Sequence, residues 1–142
     1  MVRLLLPLLL VVAGCAGGIW VPEGYHFSIP PQGFQDIPIP PFDFVVVPGK
    51  TFAYVCPVAP EIRIARVVLT GESRLDDTVE FFERELPAQG FFLIRKPYKS
   101  RVLERVRLFY KKRGRDEYLF IDICRDEKNI NVEMKLVAYP PE

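Results

Sequence analysis

Residues 104–139 read ERVRLFYKKRGRDEYLFIDICRDEKNINVEMKLVAY. Side-chain character in this stretch changes with every residue along three successive runs. A period of two is the signature of extended strands with one face buried. Breaks at Arg113-Gly114-Arg115 and Asp126-Glu127-Lys128 are short enough to close antiparallel hairpins, so strands are predicted over about 104–112, 117–125 and 129–139. One face carries Val106, Leu108 and Tyr110, then Leu119, Ile121 and Ile123, then Ile130, Val132, Met134, Leu136 and Ala138. The other carries Arg105, Arg107, Phe109 and Lys111, then Tyr118, Phe120, Asp122 and Cys124, then Glu133, Lys135, Val137 and Tyr139. An antiparallel sheet with one dry and one mixed face follows.

Upstream, the period changes to that of a helix. Leu75, Val79, Phe82 and Leu86 recur at spacings of four, three and four, which lines one helix face with apolar side chains and turns Glu80, Glu83 and Arg84 outward. Ser73-Arg74-Leu75-Asp76 has the spacing of a capping box with Asp in the Glu position. Asp76 and Asp77 sit where the helix dipole favours negative charge, and Pro87 with Gly90 closes a helix over about 74–88. Shorter strands are predicted at 51–56, 63–70 and 91–95, the last ended by Pro97. The expectation is an α+β fold, with an antiparallel β-sheet of five or six strands and one amphipathic helix packed on one face, occupying residues 51–142 as a single domain.

The N-terminus is of another kind. Met1-Val2-Arg3 precedes the apolar run Leu4 to Val12, which is interrupted by Pro7 and too short to span a bilayer. A basic start, an apolar core and small residues at the cut site are the parts of a secretory signal peptide. Val12-Ala13-Gly14-Cys15 resembles the lipobox of bacterial lipoproteins: an aliphatic residue, two small residues and a cysteine. The resemblance implies cleavage after residue 14, a diacylglycerol on the Cys15 thiol and acylation of its amine. It therefore implies a membrane held through lipid and a domain facing the periplasm. Ala16 stands where lipoproteins retained in the inner membrane typically carry Asp, so the same resemblance points to the outer membrane.

Residues 15–50 read as a lipidated N-terminus and a Pro-rich apolar tether. Seven prolines and five glycines fall in residues 16–50, which forbids a long helix or an interior strand. Trp20, Tyr25, Phe27, Phe34, Phe42 and Phe44 are too many apolar side chains for a solvated linker. Residues 37–47 are accordingly expected against the domain, where they either cover the mixed sheet face or leave it bare as a binding surface. From Ile37 to about Ile94 the chain resembles a group of small, functionally uncharacterised envelope lipoproteins of Gram-negative bacteria. The likeness lies in Ile37-Pro38-Ile39-Pro40 ahead of a strand pair, in the helix start Gly71-Glu72-Ser73, and in Pro87-Ala88-Gln89-Gly90 at its end. Phe91-Phe92 departs from the Gly-Trp of that pattern, and Cys56 is no part of it. The resemblance brings no catalytic residue with it.

Charge and cysteines narrow the function. Lys and Arg total 19 against 18 for Asp and Glu, so global charge selects no polyanion. Locally, Arg95 to Arg115 holds ten basic residues against the single acid Glu104, a hairpin able to meet an anionic envelope component, or to lie solvated opposite an acidic helix. Export excludes nucleic acid as partner. With Cys15 assigned to lipid, Cys56 and Cys124 form an even pair in an oxidising compartment. Both share strand faces with aromatic residues, so a Cys56–Cys124 disulfide is expected. His26, the only histidine, lies in the Pro-rich segment, a poor scaffold for a triad with Ser28 and Asp36. No phosphate loop, nucleophile elbow or metal-ligand spacing occurs. No enzyme, cofactor or metal site is expected.

Two readings of function remain. The first is a non-enzymatic membrane-anchored protein that binds another envelope component through Arg105, Arg107, Phe109, Lys111, Phe120 and Tyr139. The second is a carrier or sensor of a small apolar ligand held between the Pro-rich segment and the outer sheet face. A deep pocket favours the second; a flat or filled face favours the first.

Overall fold

A computed structural model describes residues 33–40, 43–59 and 62–138. Cys15, His26 and Tyr139 lie outside the described residues. The strands are β1 (Asp43–Val46), β2 (Phe52–Val55), β3 (Arg63–Glu72), β4 (Phe91–Leu93), β5 (Tyr98–Ser100), β6 (Arg105–Lys112), β7 (Tyr118–Asp126) and β8 (Asn129–Val137). One helix, α1 (Leu75–Ala88), follows β3. The long strands run in the order β3-β8-β7-β6, all antiparallel. The class is α+β as expected.

Eight strands replace the five or six expected, because each outer column of the sheet is one strand broken in two. β1 and β2 both pair with the outer edge of β3, and β4 and β5 both pair with that of β6. Between β1 and β2 a 3-10 turn at Pro48–Lys50 lifts the chain off the edge. Thr51 fills the break: its hydroxyl accepts from Val68 N at 3.1 Å and donates to Val47 O at 2.9 Å, so no backbone donor of β3 is stranded there. Between β4 and β5, Pro97 has no N–H to offer, and the ladder stops.

The dry face formed as the alternation requires. Every apolar residue assigned to it in β6, β7 and β8 up to Leu136 is buried in one core with Val79, Phe82 and Leu86 of α1. The helix begins one residue later than a capping box demands. Arg74 is its N-cap and gives no side-chain cap bond. Thr78 Oγ1 instead donates to Arg74 O at 3.0 Å and lies 3.2 Å from the Ser73 hydroxyl.

Two further readings are overturned. The described residues of the 37–47 stretch do not cover the mixed face. Phe34, Ile37, Phe44 and Val46 all enter the helix-side core, and β1 extends the sheet edge, so part of the stretch read as tether is built into the fold. The cysteines are not paired; both are free thiols. Cys56 N bonds Ile62 O, whereas Cys124 lies opposite Asn131, itself opposite Thr70. Ile62, just ahead of β3, and Thr70, within it, are eight residues apart, roughly 26 Å at strand rise. A disulfide needs Cα atoms within about 7 Å. Strand phase placed both sulfurs on one face, but register put them at opposite ends of it.

Candidate functional site

The mixed face owes its layout to register. One row across it reads Phe52, Arg66, Lys135, Phe120, Phe109; the next reads Val68, Glu133, Asp122, Arg107, Tyr98. Between these rows and the broken edge of β6 lies an open groove of about 620 Å³. Phe109, Phe120 and Val137 give it an apolar floor. Arg95, Lys96, Arg107 and Lys135 stand around it, with Asp122 and Glu133 on the same wall and Tyr98 at the edge.

Asp122 and Glu133 face each other across β7 and β8, a like-charge pair that would destabilise the sheet alone. Cations resolve it. Arg105 Nε lies 3.3 Å and Arg107 Nε 3.7 Å from the Asp122 carboxylate, and Arg66 holds Glu133 at 2.6 Å. The Arg105 guanidinium, which also bonds Cys124 and then feels Asp122, titrates above its ordinary range. Such half-exposed pairs are worth about 0–1 kcal/mol each. They fix side-chain positions more than they stabilise, and they leave the groove with a surplus of positive charge.

Of the residues expected to bind, the structure brings Arg107, Phe109 and Phe120 into the groove. Arg105 lies one row further along, and Lys111 is turned towards Arg115 O at 2.8 Å and over the Phe92 and Tyr118 rings. Phe109 is 7% exposed. Arg95 lies 4.7 Å over its ring, and Phe120 meets it edge to face at 4.0 Å. It is floor, not a contact surface. Arg95, Lys96 and Tyr98 enter because the chain between β4 and β5 leaves the sheet edge and returns. The sequence signal was Tyr98-Lys99-Ser100, a short alternating run hidden behind Pro97.

A second polar cluster sits on the helix side, beside the C-terminal end of α1. Arg63 is buried and spends all five N–H groups. It makes two bonds to Glu117 at 2.7 and 2.8 Å, two to Asp36 at 2.7 and 2.6 Å, and one to Gly33 O at 2.6 Å. Phe34 lies against the guanidinium. Lys112 Nζ adds a bond to Asp36 at 2.8 Å and one to Gln89 O at 2.6 Å. Burial alone would raise the Asp36 pKa, but the Arg63 and Lys112 bonds outweigh it and bring it to about 2. Burial likewise opposes the charge on Arg63, and its two carboxylates outweigh that and raise it. With every donor and both acids satisfied, this cluster is a structural clasp. It fastens the segment from Gly33 onwards to the domain.

Among the described residues no group of three or more His, Cys, Asp or Glu side chains could hold a metal ion, and no helix is long and apolar enough to cross a membrane. No protein-family model matches this chain, and no curated protein matches it.

Proposed function

We propose that this chain is a non-enzymatic lipoprotein of the cell envelope, anchored through Cys15 and facing the periplasm from the outer membrane, which binds an anionic envelope component in the groove between β5 and β8. The single observation that carries the binding reading is the groove itself: apolar floor, cationic wall, and no segment of the described chain lying over it. Positive charge at Arg95, Lys96, Arg107 and Lys135 steers an acidic partner and rejects a basic one. Phe120 and Val137 supply the apolar area that affinity needs. The groove is open along its length and Phe109 fills its base, which argues against a carrier that encloses a small apolar ligand.

The test is crosslinking in intact envelopes followed by pull-down of the full chain. Arg107→Glu combined with Phe120→Ala is expected to abolish the crosslinked species while leaving the amount of folded, membrane-bound chain unchanged. Crosslinks that survive the double substitution place the partner elsewhere and overturn the proposal.

A further inference from the structure

The turn between β5 and β6 presents two aliphatic side chains to solvent. Val102 is 93% and Leu103 is 59% exposed. This is not a loose loop. Glu104 N bonds Arg101 O at 3.3 Å, Leu103 N bonds Ser100 Oγ at 3.1 Å, and Glu104 takes a left-handed conformation at φ 47° to close the turn. Arg125 N bonds Glu104 O at 3.0 Å from the neighbouring strand. The fold thus holds Val102 and Leu103 outward, where each remains in contact with water.

Around this tip the charge is positive. Behind it lies a cleft of about 420 Å³ lined by Arg74, Lys99, Arg101 and Arg125 against Asp76 and Glu104. Glu104 is already paired with Arg125 at 3.5 Å. Arg74, Lys99 and Arg101 have no carboxylate partner among the described residues. Tyr98, exposed on the same edge, adds an amphipathic ring. A rigid apolar tip ringed by unpaired cations suits a surface with negative charge outermost and hydrocarbon just beneath. A protein partner would want a broader apolar contact than two adjacent side chains.

We infer that the Arg101–Glu104 turn docks on an anionic lipid bilayer, with Val102 and Leu103 entering below the headgroups and a lipid phosphate taken between Lys99, Arg101 and Arg74. This rests on the membrane anchoring proposed above, and adds an orientation to it. The acidic helix face, with Asp77, Glu80 and Glu83 exposed, carries the sign that such a surface repels.

Val58, in the β2–β3 turn at the opposite edge of the sheet, is 89% exposed and supplies the control. In the full chain with Trp20, the one tryptophan, replaced by Phe, a tryptophan is introduced by Val102→Trp or by Val58→Trp. Each protein is reconstituted into vesicles of phosphatidylcholine alone or with phosphatidylglycerol, both with brominated acyl chains. The Val102→Trp protein is expected to show a blue-shifted emission quenched by bromine in the phosphatidylglycerol vesicles. Added salt or Lys99→Glu with Arg101→Glu should reverse both effects, and the Val58→Trp protein should stay water-like throughout. Equal emission from the two positions in anionic vesicles, whether both quenched or both water-like, overturns the inference. Flotation on phosphatidylcholine alone reports the anchor separately, so loss of anchoring and loss of docking are read independently.

Discussion

At Arg63 a single side chain decides where the N-terminal segment goes. Its five N–H groups match two carboxylates and one carbonyl, and removing it would leave buried acceptors without their donors. The Asp36 carboxyl falls from 3.8 to about 2 on folding. A depressed acid stabilises the fold above its unfolded pKa and loses that contribution as pH falls through its folded pKa. The window therefore runs from about pH 4 down to about pH 2, and is worth at most about 2 kcal/mol. Denaturant titrations across that window are expected to show this loss in the native chain and to lack it in Asp36→Asn; equal acid sensitivity in both would disprove it. The clasp was partly legible. Arg63 is in phase with Ala65, Val67 and Leu69, Glu117 with Leu119 and Ile121, and Lys112 with Leu108 and Tyr110, so alternation alone puts three charged residues on the dry face. What alternation does not tell is that they share one end of it, because that depends on register.

Elements differ in how much of themselves they display to a reader of sequence. α1 and the three long hairpin strands were legible because each repeats its pattern over eight residues or more, and their faces came out as the pattern dictates. β1 and β5 were not. Each is three or four residues long and stands beside proline, where propensity argues against a strand and pairing with a long neighbour overrides it. The short β1 had a consequence for Phe44, which belongs to the 37–47 segment that one reading set over the mixed face and enters the helix-side core instead, as does Phe34 ahead of it. A direct comparison separates the two sides. Phe34→Ala, emptying a fully buried site on the helix side, is expected to cost about 3–5 kcal/mol. Phe120→Ala, at the partly exposed groove floor, removes less buried area and should cost about 1–2 kcal/mol. Thermal or denaturant melts give both numbers. The reverse ranking would mean that the segment covers the groove after all.

For the whole molecule, the clasp and the proposed anchor act on the same length of chain. The clasp fixes Gly33, and seventeen residues lie between it and Cys15, so the domain edge can stand no more than about 65 Å from the bilayer even at full extension. Within that reach the cations gathered at the β5–β6 edge favour one orientation over others near an anionic surface. Everything in this picture depends on Cys15. Each buried methylene of an acyl chain contributes about 0.8 kcal/mol, and one chain alone binds only marginally, so several chains on one cysteine are what make the attachment lasting. Cys15→Ser removes the thiol that the proposed anchoring needs for diacylglycerol, and in that proposal cleavage follows the addition. The variant is therefore expected to accumulate as an uncut precursor, heavier than the mature chain by residues 1–14, and to incorporate no labelled palmitate. Gel mobility with metabolic labelling reads both at once. A Cys15→Ser chain that is cut normally and recovered free in the periplasmic fraction would show that an ordinary signal peptidase acts here, and would leave the basic edge as the chain's only hold on the membrane.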